Sequence, residues 1–357
     1  MEVDKRLLPP EKRKQKPTDE NALGFGHLFT DHMLLINYNH AKGWHNARIE
    51  PYGPIVLDPA ALALHYGQQT FEGLKAYVGA DGEVCTFRPD INFARMLRSC
   101  QRLCIPDFPV KDFLDATLEL IRIEKDCIPK QEGTSLYIRP NIIAIDPFIG
   151  VKPGSEYLFY VIVGPVGAYY PEGFNPVKIY VEEKYTRAAV GGLGEAKTGA
   201  NYAASLLAAE ESKKRGYTQV LWLDVRDRKS IEEVGTMNIF FVVGDEIVTP
   251  PLDGSILPGI TRDSVIKLCN LWGLKMHERK ITIDEVIVDH GNGTLKEIFG
   301  TGTAAVISPV GELAYEGVTY TIGNGSTGPL ALKLYEELTG IQLGKFKDPF
   351  DWVVKVG

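Results

Sequence analysis

A single lysine, Lys197, stands in a glycine-rich loop just before a predicted helix, in the stretch GGLGEAKTGANYAASL. Two kinds of chemistry use a lysine in this setting. A phosphate-binding loop needs bare backbone amides together with a positive charge. An enzyme that works through a Schiff base needs one amine on a fixed and uncrowded backbone. A third interpretation is that Lys197 is an ordinary solvated loop residue.

The phosphate-loop interpretation fits the sequence only in part. The segment from Gly191 to Thr198 matches that motif except at Ala196, where the motif has glycine. In a true phosphate loop the helix continues directly from the Lys-Thr pair, whereas here Gly199 and Asn201 are expected to interrupt it, with Asn201 as the capping residue. The preceding residues, KYTRAAV, are also a poor core strand. Nucleotide binding is weakened as an alternative, but it stays open.

Two other segments supply groups that a pyridoxal phosphate site requires. In LPGITRD, Gly259 lets the backbone approach a ligand, and Ile260 and Thr261 present amides at a helix start, where phosphate binds. In IEEVGTMN, a carboxylate stands at the mouth of the apolar strand IFFVV. Each feature alone is common in proteins without a ligand. Together with Lys197 they provide an amine for the imine, a phosphate cup and an acid that keeps the pyridine nitrogen protonated.

Composition limits the classes of protein to which the chain can belong. Its 357 residues are enough for two ordinary domains, and a net charge of −7 does not indicate general nucleic-acid binding. We expect no membrane helix, because no apolar run approaches the roughly 18 residues required. The five cysteines include no Cys-x-x-Cys pair, so we expect reduced core thiols, no metal site and a cytoplasmic location.

The order of predicted elements indicates the fold class. Apolar runs bounded by turn residues predict strands at HMLLINY, IVLDP, KAYVG, EVCTFRP, SLYIRPNIIAI, EYLFYVIVGPVG, VKIYVEE, QVLWLD, KEIFGTG and AAVISPVGEL, and a hairpin in MNIFFVVGDEIVTP. Helical patterns begin near Ile91, Val110 and Asn201, and also in LPGITRDSVIKL and GPLALKLYEELTGI. The strands outnumber a regular β-helix-β alternation. We therefore expect an α+β fold of mixed sheets with flanking helices, not a doubly wound sheet.

Several motifs then resemble one enzyme family. EAKTGANYAASL, EEVGTMNIFFV, PPLDGSILPGITR and GTGTAAVISPV, in this order, resemble the branched-chain amino acid aminotransferases, which are fold-type IV pyridoxal phosphate enzymes. The first half of the chain agrees through FTDHMLLINY, LHYGQQTFEGLKAY, FRPDINFARMLRS, SLYIRP and GPVGAYY. The resemblance extends from about Gly24 to the C-terminus. It implies two mixed α/β domains joined by an interdomain loop, usually in a homodimer, with pyridoxal 5′-phosphate between the domains.

The resemblance also implies roles for individual residues. Lys197 matches the catalytic lysine, Glu233 the partner of the pyridine nitrogen, and Thr303–Ala304 the turn that receives the substrate α-carboxylate. Cofactor contacts are implied for Arg95, Arg187, Lys197, Tyr202, Glu233, Thr236, Gly259, Ile260, Thr261 and Thr303. Substrate contacts are implied for Phe25, Tyr66, Phe71, Tyr137, Arg139, Tyr169, Thr303 and Ala304. From the residues alone, Phe71 could equally pack in a core, and Arg95 could lie on the surface.

These expectations define a domain plan and a reaction. We expect a flexible leader over residues 1–20, a smaller N-terminal domain over 21–166, an interdomain loop over 167–176, and a larger C-terminal domain over 177–357 that carries Lys197. The implied reaction is ping-pong transamination between leucine, isoleucine or valine and 2-oxoglutarate, through a Schiff base on Lys197. D-amino acid transamination or aminodeoxychorismate lyase activity on the same fold is the alternative among enzymes.

Overall fold

The structure is a computed structural model that describes residues 1–167 and 174–357. The expected substrate residue Tyr169 and most of the expected interdomain loop lie outside the described residues.

Seven α-helices and eighteen strands lie within the described residues. The helices are α1 (Leu62–Tyr66), α2 (Pro89–Arg102), α3 (Val110–Ile123), α4 (Gly199–Lys214), α5 (Ile260–Leu271), α6 (Ile283–Gly291) and α7 (Pro329–Gln342). The strands are β1 (Asp4–Lys5), β2 (His32–Asn39), β3 (Gly43–Pro51), β4 (Gln69–Phe71), β5 (Leu74–Val78), β6 (Val84–Phe87), β7 (Ser135–Ala144), β8 (Glu156–Val166), β9 (Val177–Val181), β10 (Gln219–Leu223), β11 (Ile231–Val234), β12 (Asn238–Val243), β13 (Glu246–Thr249), β14 (Lys275–Glu278), β15 (Leu295–Gly302), β16 (Val306–Tyr315), β17 (Val318–Thr321) and β18 (Val353–Lys355). None of these helices is both long and apolar enough to cross a membrane.

The first of two compact units comprises Met1–Tyr169, Ala196–Gly199 and Gly340–Gly357. Its sheet has the order β1-β3-β2-β8-β7-β5-β6-β18, and β4 pairs with β7. All of these pairs are antiparallel except β1 with β3. Apolar side chains of α2 and α3 pack into one core with those of the strands, because both helices carry an apolar stripe at helical spacing.

The second unit comprises Tyr170–Glu195 and Ala200–Thr339. Its sheet has the order β11-β10-β9-β16-β15-β12-β13-β14, and β17 pairs with β16. The strand β9 is parallel to both β10 and β16, and β13 is parallel to β14. The predicted hairpin is present, with β12 antiparallel to β13 around Gly244 and Asp245. The helices α5 and α6 both contact β15.

Two mixed sheets with flanking helices confirm the predicted α+β class. The strand β3 was not predicted, because its nine residues bury only Ala47 and Ile49 and lack a clear apolar pattern. The short helices α1 and α6 were also not predicted. The predicted strand IVLDP is wrong, since these residues form no strand and Val56 is 94% exposed. Prolines on both sides of this segment are poorly compatible with a central strand.

The two units differ from the expected domain plan at three places. The C-terminal strand β18 pairs with β6, which assigns Gly340–Gly357 to the first unit. The segment Ala196–Gly199, with Lys197, also belongs to the first unit, because it bonds to the backbone of β4. Within the expected leader, β1 pairs with β3, so this part of the leader is tied to the sheet.

Candidate active site

The backbone of Lys197 is fixed on both sides by the first unit. Its N–H donates to the hydroxyl of Ser99 on α2 at 2.9 Å, and its carbonyl accepts from the N–H of Phe71 at 3.0 Å. The neighbouring Thr198 hydroxyl donates to the carbonyl of Gln69 at 2.7 Å. Because these bonds fix the main chain, only the side-chain torsions of Lys197 are left to move its amine. This is the fixed backbone that the Schiff-base interpretation requires.

The ring of Phe71 contacts two cations. The Nζ of Lys197 lies 5.0 Å from the ring centroid, and the Cζ of Arg139 lies 4.9 Å from it. At these distances the negative face of an aromatic ring attracts a cation. Phe71 is therefore not only a packing residue, since it forms an apolar surface that the amine and the guanidinium share.

Arg139 is further embedded in aromatic side chains of the first unit. It donates to the Tyr137 hydroxyl at 2.9 Å and lies 5.1 Å from the centroid of that ring. The two residues share a face of β7 because they are two positions apart. The ring of Phe25 meets that of Tyr137 edge-on at 5.0 Å. The Nε of Arg139 is buried and has no hydrogen-bond partner among the described residues.

This group brings together four of the expected substrate residues, Phe25, Phe71, Tyr137 and Arg139. It also requires Gly73, because a Cβ there would lie 2.2 Å from the Tyr137 hydroxyl. Tyr66 is not placed in the group by any contact within the described parts of the chain. It ends α1, is 42% exposed, and has its ring near that of His65.

Arg95 is buried, which excludes the surface alternative. Its Nε and one terminal nitrogen donate to the two oxygens of the fully buried Glu72 at 2.7 and 2.8 Å. Asn92 donates to the same carboxylate at 2.9 Å. Burial raises the pKa of Glu72, whereas Arg95, Lys197 and Asn92 lower it, and the net pKa lies below its ordinary value. Glu72 is therefore ionised and orients the Arg95 guanidinium.

In the second unit, Glu233 is the buried acid of β11. One of its oxygens accepts from the N–H of Leu257 at 2.8 Å, and the other lies 3.1 Å from the Nε of Arg187. Asn238 donates to Glu233 at 3.4 Å and to the carbonyl of Leu257 at 2.9 Å. The acid is therefore linked to the segment Leu257–Gly259 that leads into α5. Arg187, expected near a phosphate, is an ion-pair partner of Glu233.

The start of α5 has a glycine cap. Gly259 is the N-cap residue and, having no side chain, makes no side-chain cap to the first turn, which contains Ile260 and Thr261. Such a turn directs its N–H groups and the positive end of the helix dipole outward. Glycine is required at this cap, because a Cβ at Gly259 would lie 1.9 Å from Asn238 Oδ1.

The remaining cofactor and carboxylate candidates are also in the second unit. Thr303 and Ala304 lie in the tight turn between β15 and β16, which is closed by Val306 with a φ of 62°. A positive φ is uncommon for a β-branched residue, and such strained turns concentrate at ligand sites. Tyr202 is half-buried in the first turn of α4, and Thr236 is exposed between β11 and β12.

Two expectations about the Lys197 loop are corrected. The helix α4 begins at Gly199, two residues earlier than predicted, and Asn201 is inside its first turn instead of capping it. Asn201 instead donates to the carbonyl of Leu193 at 2.7 Å. No described strand leads directly into the loop, because β9 ends at Val181. A phosphate loop requires such a strand, and this argues against the nucleotide-binding alternative.

Sequence reasoning missed the polar residues that orient these groups. They are Glu72, Ser99, Asn238 and Ser255, which contact Arg95, Lys197, Glu233 and Arg187 respectively. Only Glu72 has a local signal, because it is an acid in the apolar run TFEGLKAYV. An acid in such a run must have a partner if it is buried. The sequence separations give no indication of which partner that is.

A family model described as amino-transferase class IV matches residues 69–313. The branched-chain-amino-acid aminotransferase 2 of Bacillus subtilis (strain 168) is 55% identical to the chain over 344 residues, which cover 96% of this chain and 94% of that protein.

Two solved structures are similar in fold. The Escherichia coli branched-chain amino acid aminotransferase matches with a TM-score of 0.77 and 28% identity, over 92% of this chain and 99% of that one. The branched-chain aminotransferase of the archaeon Thermoproteus uzoniensis, solved with norvaline, matches with a TM-score of 0.76 and 26% identity, over 91% of this chain and 100% of that one.

The ion pair between Glu72 and Arg95 leads to a stability prediction. Replacing Glu72 with glutamine should lower the free energy of unfolding in urea by about 3–5 kcal/mol, because it leaves a buried guanidinium without its counter-charge. The carboxylate of a group with a lowered pKa stabilises the fold above its ordinary pKa of 4.5 and loses this effect as the pH falls. The difference between wild type and variant should therefore shrink in acid.

The matched control is Glu119→Gln, which removes a partly exposed partner of Lys5. Surface pairs contribute only about 0–1 kcal/mol. Equal losses for the two variants would show that the pair of Glu72 and Arg95 has no special role in stability.

Proposed function

We propose that this chain transfers amino groups from leucine, isoleucine and valine to 2-oxoglutarate. The chain belongs to the class IV aminotransferases and, within them, to the branched-chain-amino-acid aminotransferases. The products are the branched-chain 2-keto acids and L-glutamate, in a ping-pong sequence of two half-reactions. The observation that carries this proposal is the Lys197 amine, held on a fixed backbone and sharing the Phe71 ring with Arg139. The fold is the fold-type IV arrangement of these enzymes.

The donor set of the chain fits pyridoxal 5′-phosphate. It includes an amine on a fixed backbone, a buried carboxylate at Glu233 and a helix start without a side-chain cap at Gly259. When bound, this cofactor supplies an aldehyde that condenses with amines and a ring that accepts electrons from the substrate's α-carbon. The residues proposed to hold it are Arg95, Arg187, Lys197, Tyr202, Glu233, Thr236, Gly259, Ile260, Thr261 and Thr303.

Lys197 and Glu233 have separate tasks in this proposal. The Nζ of Lys197 would take the proton from the substrate's α-carbon as a general base and deliver it to the cofactor's former aldehyde carbon as a general acid. Glu233, which contacts Arg187 and accepts from the Leu257 N–H, would stabilise a proton on the pyridine nitrogen. The backbone amides of the Thr303–Ala304 turn receive the substrate α-carboxylate.

The substrate side chain meets both apolar and charged groups. Phe25, Phe71 and Tyr137 provide an apolar wall, and burial of a methylene against it contributes roughly 0.8 kcal/mol. An unpaired carboxylate buried against such a wall would be very costly. The Arg139 guanidinium, beside the Tyr137 hydroxyl, is the group that we propose to pair with the side-chain carboxylate of glutamate and 2-oxoglutarate. Tyr66 and Tyr169 are kept as further substrate candidates.

A second copy of the chain is the proposed partner, because apolar side chains of the first unit are exposed. Beside the strands β2 and β8, a small cluster buries Met33, Leu35 and Leu158 and leaves the apolar residues packed against them only partly buried, namely Ile55, Ile143, Ile145, Tyr160 and Ile162. In the loop that joins β7 and β8, the side chain of Ile149 is 71% exposed and that of Val151 is 89% exposed. Exposed apolar surface of this kind marks an interface. A homodimer would cover it.

The cytoplasm is the proposed location. All five cysteines are free thiols, and Cys85, Cys100 and Cys269 are buried. Proteins of reducing compartments keep their thiols in this form.

The central test concerns the amine. Borohydride should fix the cofactor to Lys197, because it would reduce the bond proposed between this amine and the cofactor's aldehyde carbon, and peptide mapping should find the label on that residue. Lys197→Ala should lose measurable transamination with 2-oxoglutarate and leucine. Lys184→Ala, in an exposed loop position, is the control and should keep full activity. A label on another lysine would remove Lys197 from the mechanism.

Substrate choice gives a second test. Arg139→Met should lower kcat/KM for glutamate and 2-oxoglutarate about 10- to 150-fold more than for leucine, because it removes one charge-assisted hydrogen bond of roughly 1.5–3 kcal/mol. The exposed Arg98→Met is the matched control and should leave this ratio unchanged. Equal losses for both substrates would assign Arg139 to the support of the fold instead.

The proposed homodimer is tested by measuring the molar mass of the protein in solution. The wild-type protein should have about twice the chain mass of 39.5 kDa in light scattering after size-exclusion chromatography. Ile149→Asp combined with Val151→Asp should return it to the mass of one chain, because charges are poorly tolerated in an apolar interface. Val318→Asp, at another exposed apolar position, is the control. A dimer that survives the double substitution would place the interface elsewhere.

A further inference from the structure

Arg187 is held between two consecutive acids of β11. Its Nε lies 3.1 Å from Glu233 Oε2, and a terminal nitrogen donates to the carbonyl of Ser255. All three residues are buried. The hydroxyl of Ser255 in turn donates to Glu232 Oε1 at 2.5 Å. One guanidinium thus contacts Glu233 directly and is connected through Ser255 to Glu232.

Glu232 has the features of an acid that keeps its proton. Glu232 is 4% exposed, and its Oε2 atom is buried without a hydrogen-bond partner among the described residues. Burial raises the pKa of Glu232; the Ser255 hydrogen bond and Arg187 oppose this, whereas Asp224 and Glu233 add to it. The net pKa lies above its ordinary value. An ionised oxygen without a partner would be costly at this depth.

The other charged groups around the pair are already matched. Asp224, which follows β10, accepts from Arg226 at 2.9 and 3.0 Å. Asp253, in the loop before α5, lies 3.1 Å from the same arginine. Arg226 therefore compensates Asp224 and Asp253. Arg187 is the cation that lies beside Glu233 and is connected through Ser255 to Glu232.

We propose that Arg187 is a positioning residue that acts through Glu233. In this arrangement Glu232 carries a proton and therefore does not compete with Glu233 for the Arg187 guanidinium. When Glu232 ionises, two carboxylates share one guanidinium, and the hold of Arg187 on Glu233 weakens. The consequence for the cofactor rests on the proposed function, in which Glu233 meets the pyridine nitrogen. The consequence for stability does not, because it concerns the chain alone.

The sign of the pH effect follows from the direction of the pKa shift. A carboxyl group whose pKa is raised by folding stabilises the fold fully below its unfolded pKa. This contribution is lost as the pH rises through the raised value. Glutamine at position 232 has the shape of the protonated acid and cannot ionise. Glu232→Gln should therefore flatten the alkaline part of the stability profile, whereas a loss of packing would lower stability equally at every pH.

The first experiment measures the melting temperature of the cofactor-free protein between pH 5 and 9. Relative to wild type, Glu232→Gln should gain stability as the pH rises, and the exposed Glu210→Gln should follow the wild-type curve. If Glu232→Gln ran parallel to wild type across this range, the proposed proton on Glu232 would be ruled out.

The second experiment measures the dissociation constant of pyridoxal phosphate by absorbance titration over the same pH range. Arg187→Met should weaken binding about 10- to 150-fold, as expected when a charge-assisted contact is removed, and Arg187→Lys should restore part of the loss. Glu232→Gln should keep the wild-type constant near pH 6 and bind more tightly than wild type near pH 9. Unchanged affinity in Arg187→Met would refute the positioning role.

The two experiments separate the two ideas. A wild-type protein that binds no pyridoxal phosphate would contradict the proposed function, while the melting profiles would still decide the state of Glu232. Normal cofactor binding together with parallel melting profiles would overturn this inference alone. If Arg187→Met does not fold, Arg187→Lys carries the affinity measurement.

Discussion

The cost of burying an unpaired charge constrains the arrangement of the polar residues in both units. In the first unit, Arg95 and Glu72 are both buried and bond through two pairs of atoms. In the second unit, Arg187 and Glu233 are both buried and lie 3.1 Å apart. Removing one member of such a pair leaves the other buried without a counter-charge. The free-energy cost of this is far larger than the net contribution of the intact pair to stability. Each pair therefore fixes the direction of a guanidinium or carboxylate for which we propose a ligand contact.

These groups approach the backbone closely at three glycines. Gly73 leaves room for the Tyr137 hydroxyl, and Gly259 leaves room for Asn238. At Gly194 a Cβ would lie 2.0 Å from the carbonyl of Ser255, the same carbonyl that accepts from Arg187. The glycines around the candidate site are thus explained by packing of polar side chains against the main chain. Loop flexibility is not needed to account for them.

The sequence predicted those features that depend on local pattern. Long apolar strands such as β7 and β8 and the hairpin at Gly244 were found, because period-two burial and turn residues are local signals. The strand β3 was not, since its residues lack a clear apolar pattern. The helix α6 was also not predicted, although Thr282 caps it by accepting from the N–H of Glu285, which is a local signal. The attachment of β18 to β6 joins residues near position 354 to residues near position 86, and no short-range pattern can show this.

The residues of the candidate site also fall into those that the sequence predicted and those that it did not. Lys197, Glu233 and the start of α5 could be recognised because their motifs are contiguous. Their partners could not, because Ser99 is far from Lys197 in the chain and Ser255 is far from Arg187. Arg187 illustrates the limit, since its motif indicates a ligand contact but not that a buried acid lies beside it. Charge balance in the folded chain supplies that information.

The type of partner also separates two kinds of arginine. Arg95 and Arg187 are matched by carboxylates, so their charges are neutralised within the chain. Arg139 instead lies against the rings of Phe71 and Tyr137 and has no carboxylate partner among the described residues. Ring faces stabilise a cation without cancelling its charge. Such a guanidinium can remain half-buried beside an apolar side chain and can also pair with an incoming carboxylate, because it keeps its charge.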